Sequence, residues 1–477
     1  MSALADARQT SGPAKSLLAI VGFLVVVETA SGVLQGFYTP IWNDVAAHLG
    51  VRTADINWFE ATQLIASALF VPVLARLGDR LGHKRVLLIS TIVTAAGSWW
   101  LVAAPSFGTF LVGFALQGAY VVWLPLEIAI IHRRTSGDPR QGRLTRRGAA
   151  VLVGALELAV IVAALVSGAL VGTIPIPALL AIPAAVVTVA LVLIWIGIEN
   201  DEPAGGGDFD AGGLALLVVV LGFIMSGLIV VRLDGPANAL PWILIALGFV
   251  ALVPFVRYEK MRPEPLIDVT LLAERRQWPV QLTAFLIGMS VLGAQIPLST
   301  FARTDPHTAG YGLGAGASFV SILVGVYVIF LAVGAFTLPL TSRLVGERGA
   351  LVLAAVLVAV GYALWLPFHD SVLQAIVNMA IVGLGTGALV AALPATAAGA
   401  APEDRTGFAT GMTNTAKTIG GAIASALFAI ALASTGSIAD STRSAPLSGY
   451  LTVWSISSAT ALAAAVVLFA SRRDSET

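Results

Sequence analysis

The sequence predicts an all-α membrane protein of fourteen transmembrane helices, and three observations carry that prediction. The 477-residue chain is 57% hydrophobic and only 11% charged, with a mean hydropathy of +0.89, beyond what a domain dissolved in water carries. Its apolar residues fall into stretches of about twenty, the length that crosses a ~30 Å hydrocarbon core. Its basic residues sort to alternate loops. With fourteen spans and a cytoplasmic N-terminus, 22 of the 27 Lys and Arg residues fall on the cytoplasmic side. Only Arg52, Arg232, Arg303 and Arg443 fall on the other side, and Lys417 lies inside a span. That is the positive-inside distribution, and an odd number of spans would scramble it.

In chain order the spans are 17–37, 55–77, 84–104, 107–131, 148–172, 178–198, 211–232, 240–256, 280–300, 316–340, 350–368, 371–397, 407–434 and 449–470. Each must be helical, because lipid offers the backbone no hydrogen-bond partner. Arg8 and Lys15 precede the first span as in a secretory leader, but the many apolar stretches that follow make it a retained helix. The second and third spans meet at a short charged turn, Ala75 to Arg85. Gly168 with Gly172, and Gly383 with Gly387, give spans five and twelve the small-xxx-small spacing that lets helices approach. Trp99, Trp100, Trp195 and Trp242 lie near span ends, where an aromatic belt is expected. Trp58, Trp123 and Tyr120 read first as packing residues, with a substrate site as the alternative.

Three linkers organise the spans. A basic loop, 132–147, follows the fourth; the acidic, glycine-rich run Glu199 to Asp208 follows the sixth; a charged stretch, 257–279, follows the eighth. The chain then divides into a cytoplasmic tail (1–16), a six-helix bundle (17–198), a linker holding an inserted helix pair at about 211–256 (199–279), a second six-helix bundle (280–470) and a second tail (471–477).

Composition also excludes several functions. The formal net charge is zero and the chain has no cysteine, so no charge imbalance suggests a nucleic-acid partner and thiolate chemistry is absent. His48, His83, His132, His307 and His369 lie in or beside loops without metal-ligand spacing. Gly411 to Thr418 comes close to a phosphate-binding loop, but Ala416 replaces the second glycine and the segment sits inside an apolar span. No enzyme, metal or nucleotide site is expected.

The informative chemistry lies at mid-membrane, where an ionisable residue marks a functional site by default. Glu28, Glu157 and Lys417 fall near the centres of spans one, five and thirteen. Two carboxylates against one ammonium leave one acid unpaired, and burial favours the neutral form of such an acid, fitting it to carry a proton. Glu157 is the favoured carrier and Glu28 its rival; either could pair with Lys417, and a static polar bridge between bundles is the bland alternative. Polar residues at helical spacing suggest cavity-lining faces: Glu28 with Gln35; Glu60, Gln63 and Ser67; Gln281, Gly288 and Gln295; Thr410, Asn414, Lys417 and Gly421. Gln117 joins them as a candidate. Glu127, about four residues from its span's end, reads as a snorkelling side chain.

The run Ala75-Arg76-Leu77-Gly78-Asp79-Arg80-Leu81-Gly82-His83-Lys84-Arg85 resembles the signature loop between the second and third helices of the major facilitator superfamily. The stretches Gly383-Leu384-Gly385-Thr386-Gly387, Pro402 to Gly407, and Asn414 to Gly421 with Lys417 resemble the twelfth and thirteenth helices of its fourteen-helix, drug/proton antiporter-like branch. The resemblance implies the major facilitator fold, two six-helix bundles related by an axis along the membrane normal with an inserted helix pair. It also implies a gating loop of Gly78, Asp79, Arg80, Gly82, Lys84 and Arg85, in which Asp79 latches the bundles against the helix starting near Gly407. A loop that merely sets topology is the alternative. The sequence departs from the pattern at Ala75, where glycine is usual, at Phe114, where an arginine associated with proton coupling is usual, and in the fifth span, which lacks a glycine-proline pair.

The expected function is secondary active transport by alternating access in the plasma (inner) membrane, with both termini cytoplasmic, exporting a small amphipathic compound against protons. A metabolite importer or uniporter is the runner-up, and a non-transporting sensor or scaffold the reading from another class. The expected partners are a small-molecule substrate, protons and lipid, with no cofactor beyond the proton gradient and a monomeric state. Candidate cavity residues are Gln35, Glu60, Gln63, Gln117, Gln295 and Asn414; the proton-coupling candidates are Glu157, Glu28 and Lys417.

Overall fold

The computed structural model describes residues 13–473 apart from 136–137, 200–209, 236, 403–404 and 434–444. Its long helices are α1 (Pro13–Gly36), α2 (Asn57–Leu81), α3 (His83–Ala103), α4 (Phe107–Arg134), α5 (Gln141–Leu170), α6 (Ile176–Gly197), α7 (Ala211–Asp234), α8 (Ala239–Lys260), α9 (Trp278–Arg303), α10 (Ala317–Val345), α11 (Glu347–Leu364), α12 (Val372–Gly399), α13 (Thr406–Ala433) and α14 (Leu447–Arg473). Thirteen helices among the described residues are long and apolar enough to cross a membrane. The fourteenth, α2, is 25 residues long and packs among them. Its lower apolarity comes from Asn57, Glu60, Gln63 and the charged turn at its end.

Local chemistry sets where these helices begin and stop. Capping boxes at Ser106 and Ser371 start α4 and α12, and the side chains of Asp210 and Asn238 cap α7 and α8, each accepting from an otherwise orphaned backbone N–H. Single glycines with positive φ, Gly82 (+94°) and Gly346 (+77°), make the sharp links from α2 to α3 and from α10 to α11. A side chain at either position would be strained. Two helices are interrupted. α4 passes through a 3-10 turn at Gly118–Val122, and α9 breaks between Val291 and Gln295.

The same pairings occur in both halves of the chain. First packs on fifth (α1 on α5, α9 on α13), second on fourth (α2 on α4, α10 on α12), and third on sixth (α3 on α6, α11 on α14). Glycine makes the closest of these approaches possible. A Cβ at Gly36 would lie 2.2 Å from the Val160 carbonyl oxygen, one at Gly288 2.0 Å from that of Lys417, and one at Gly387 1.8 Å from that of Leu331. Each half encloses its own buried apolar cluster, so the architecture is two six-helix bundles. The pair α7–α8 packs on itself and, through Leu217, Val220 and Leu221, on Trp58 and Ala61 of α2 and Ala426 and Ala429 of α13. Large apolar side chains such as Leu158, Trp195, Phe249 and Phe336 face outward. In water that would be a liability; lipid requires it.

Fourteen alternating crossings put Pro13 and Arg473 on one side of the molecule, the terminal side. A set of hydrogen bonds joins the two bundles in the opposite, far-side half. Arg303 at the end of α9 pairs with Asp44 and donates to the Pro40 carbonyl at 3.2 Å. Ser299 donates to the Thr39 carbonyl at 2.5 Å and Ser321 to the Ala164 carbonyl at 2.6 Å. Ser318 donates to the Gly168 carbonyl at 3.2 Å, and Ser425 to Glu60 Oε2 at 3.1 Å. The bundles are sealed against each other on the far side.

Candidate functional site

A cavity of about 210 Å³ lies between the bundles beneath that seal. The first bundle supplies Gln35 from α1, Tyr38 and Trp42 from the segment after it, Glu60 and Gln63 from α2, Phe114 and Tyr120 from α4, and Glu157 from α5. The second supplies Gln295 from α9, Val324 and Tyr327 from α10, Tyr362 from α11, Thr386 from α12 and Lys417 from α13. The interruption in α9 sits where Leu292, Ala294 and Gln295 reach the wall, and the 3-10 turn in α4 contains Tyr120. Irregular backbone at membrane depth is tolerated where it lines a cavity or is enclosed by protein.

Two acids and one base line this space. Glu157 and Lys417 act on each other as opposite charges, while no ion pair within 4.0 Å joins them; they face each other across the cavity. The close approach of Gly288 to the Lys417 carbonyl holds the backbone of α13 at this residue against α9. Glu60 lies nearer the far-side seal, where the Ser425 hydroxyl donates to it across the bundle interface.

The structure rearranges the candidates read from sequence. Gln35, Glu60, Gln63 and Gln295 line the cavity, as do Glu157 and Lys417; Gln117, Asn414 and Glu28 do not. Gln117 is fully buried one layer behind the wall. Its Oε1 accepts from Gln63 at 3.3 Å, and its Nε2 donates to Tyr38 Oη at 2.8 Å and Ser98 Oγ at 2.9 Å. It therefore holds two wall residues in place. Ser67 bonds the Gln63 and Gly118 carbonyls, and Gln281 the Ala409 carbonyl at 3.1 Å. The heptad running through Gln281 and Gln295 does not stay on one face, because α9 breaks between them. Trp58 packs beneath α7, and Trp123 donates to Ser90 at 3.1 Å.

Glu28 sits inside the first bundle, fully buried, against an equally buried Glu127. The reading of Glu127 as a snorkelling side chain is thus overturned. Helix α4 runs to Arg134, leaving Glu127 about two turns inside it. Sequence reasoning also missed four aromatic wall residues, Tyr38, Trp42, Tyr327 and Tyr362. Helical spacing could have found the last two, but isolated tyrosines in apolar spans look the same whether they pack or line.

In the charged loop, a Cβ at Gly78 would lie 2.9 Å from Leu126 Cδ2, and Gly82 makes the positive-φ link. Lys84 is buried at 7% exposure and donates to the Trp195 carbonyl at 3.2 Å, a cation placed at the end of α6 where the helix dipole favours it. The neighbouring His83 Nδ1 lies 3.2 Å from an Arg133 guanidinium nitrogen. Arg80 and Arg85 are exposed. The Asp79 side chain and its expected partner near Gly407 lie outside the described residues.

The family described as Major Facilitator Superfamily matches residues 24–425. The chain belongs to the major facilitator superfamily. A uridine/deoxyuridine transporter of Lactococcus lactis subsp. cremoris is 26% identical over 66% of this chain and 65% of its own length, so the match spans just under two thirds of that relative. A multidrug resistance protein B homolog of Mycobacterium tuberculosis is 24% identical over 81% of this chain and 71% of its own. Among solved structures, the nucleoside transporter NupG aligns over 96% of this chain and 99% of its own with a TM-score of 0.63 at 13% identity. At that identity the likeness establishes the fold alone. This facilitator is a multi-pass integral membrane protein of a transporter family.

Proposed function

We propose that this facilitator couples protons to the export of a small amphipathic compound across the plasma membrane by alternating access, with both termini in the cytoplasm. The observation that carries the reading is the facing pair of Glu157 and Lys417 in a cavity between the two bundles. One member belongs to each bundle, so the charge on Glu157 acts directly on the force that draws α5 and α13 together. With Glu157 ionised the pair attracts; with Glu157 protonated, Lys417 loses its counter-charge and the bundles are freer to reorganise. A proton taken up from one side and released to the other then alternates with substrate. Aliphatic and aromatic walls broken by Gln35, Gln63 and Gln295 suit a solute with one apolar and one hydrogen-bonding face. Relatives named as a multidrug resistance protein and as a cephamycin export protein support the direction.

The test is accumulation of a panel of fluorescent lipophilic cations in everted vesicles energised by a proton gradient, comparing the native protein with Glu157→Gln. The reading expects accumulation that a protonophore and the substitution both abolish. Proton-driven accumulation that survives Glu157→Gln would overturn the assignment, and no accumulation of any dye would overturn broad drug export. A second reading, uptake of a nucleoside-like heterocycle, is favoured by amide and phenol groups side by side in the wall and by the uridine-transporting relative. Labelled uridine entering intact cells would select it.

A further inference from the structure

We infer that Glu28 and Glu127 form a proton-holding site buried inside the first bundle, in which one carboxyl group donates its O–H to the other. Both side chains are fully buried, and among the described residues no donor makes a hydrogen bond within 3.5 Å to any of the four carboxyl oxygens, the Ser31 hydroxyl acting on Glu28 only more loosely. Glu28 reaches from α1 and Glu127 from α4, helices that pack on each other, and the two carboxyl groups act on each other directly. Two ionised carboxylates so placed would repel each other in a medium that screens poorly. A shared proton removes a charge and creates a donor between the two groups.

Among the described residues, no cation on the surrounding helices answers this pair. On α3, His83 engages Arg133 and Lys84 the Trp195 carbonyl; on α5, Glu157 faces Lys417; α6 contains no ionisable residue. Ser31 stands beside Glu28, on the same helix. A calcium or magnesium ion would need about six or more oxygens converging from several sides, and two carboxyl groups with one hydroxyl do not supply them. A proton needs only the pair.

The site also has a connection to the cavity. Tyr120 lies within electrostatic reach of both Glu28 and Glu60, and it lines the cavity wall with Glu60. Its hydroxyl is donor and acceptor at once. In the proposed site this hydroxyl carries the proton of Glu28 and Glu127 to the cavity, separate from the Glu157–Lys417 pair.

The experiment is infrared spectroscopy of the purified protein in lipid at neutral pH, following the C=O stretch of protonated carboxyl groups in native protein, Glu127→Gln, Glu28→Gln and Tyr120→Phe. Glutamine keeps the shape and can donate to the remaining carboxylate, so either substitution is expected to remove one protonated carboxyl per chain. Tyr120→Phe is expected to keep that band and slow its exchange in heavy water several-fold. The same band intensity in native protein and both glutamine variants would overturn the shared proton. Exchange unaffected by Tyr120→Phe would overturn the route. The measurement uses no substrate, so its failure is distinct from failure of the transport reading.

Discussion

Removing Asp44 is expected to open the far side of the transporter. Arg303 pairs with Asp44 across the bundle interface, with side-chain exposures of 18% and 28%, and also donates to the Pro40 carbonyl. A fully exposed ion pair contributes about 0–1 kcal/mol, while a hydrogen bond to a charged group contributes about 1.5–3 kcal/mol. This partly buried, two-pronged contact belongs in the lower half of the second range, at about 2 kcal/mol. Because the contact exists only when the far side is closed, Asp44→Ala destabilises that state alone. At 1.4 kcal/mol per factor of ten, the far-side-open population rises about 30-fold. The native chain has no cysteine, so one introduced thiol reports cleanly. Val324→Cys places it in the cavity wall, and a membrane-impermeant maleimide applied from the far side measures its exposure. The reasoning expects slow labelling in the Val324→Cys background and labelling about 30-fold faster with Asp44→Ala added. Equal rates in the two proteins would refute it.

Four further substitutions probe the same framework. Ser425→Ala removes the hydroxyl that reaches Glu60 across the interface; at about 1 kcal/mol for one hydrogen bond, far-side labelling of the same thiol should rise about fivefold. Gly288→Ala would drive a methyl group to 2.0 Å from the Lys417 carbonyl and should destabilise the protein by about 1–3 kcal/mol, seen as a lower thermal midpoint in detergent. Gly154→Ala, its control, has nothing within 4 Å of its added methyl and should instead hold or raise that midpoint, since alanine favours a helix interior by about 0.5–1 kcal/mol. Gln117→Leu strips the partners from Gln63, Tyr38 and Ser98 at once. It should cost about 2–3 kcal/mol in thermal stability and blunt transport without touching substrate.

Much of this architecture was legible because the bilayer imposes lengths and forbids alternatives. Apolar runs such as 178–198 and 211–232 carry no competing signal, and the partition of Lys and Arg leaves little freedom in their number. Lys417 and Glu157 were legible for the same reason: an ionised group at mid-span is too costly in lipid to stand there by accident. What the sequence hid depends on which face of a helix meets which neighbour. Glu28 and Glu157 look alike at mid-span, yet one faces the bundle interior and the other the cavity, a difference set by the rotation of α1 and α5 about their axes. Gln117 and Gln63 are both glutamines in apolar spans, and only packing puts one behind the other. The stripe through Gln281, Gly288 and Gln295 misled because seven-residue spacing assumes an unbroken helix, and α9 is broken.

The distribution of charge between the bundles bears on how the machine moves. Among the described residues, the acidic side chains at membrane depth in the two bundles all belong to the first: Glu28, Glu60, Glu127 and Glu157. The second presents one cation, Lys417, to the cavity. Protonation of the first bundle therefore sets the field that Lys417 experiences, even where the proton sits away from the cavity. At an effective dielectric of 20, one unit charge at about 8 Å changes that interaction by roughly 2 kcal/mol, enough to shift a two-state equilibrium by more than an order of magnitude. A proton entering at Glu157 acts at close range and one held by Glu28 and Glu127 acts from behind. Both act in the same sense, weakening the attraction that holds α5 and α13 together. Two acidic stations on one bundle and a single ammonium on the other give protons leverage over the interface, and the far-side contacts of Arg303, Ser321 and Ser425 set how much leverage is needed.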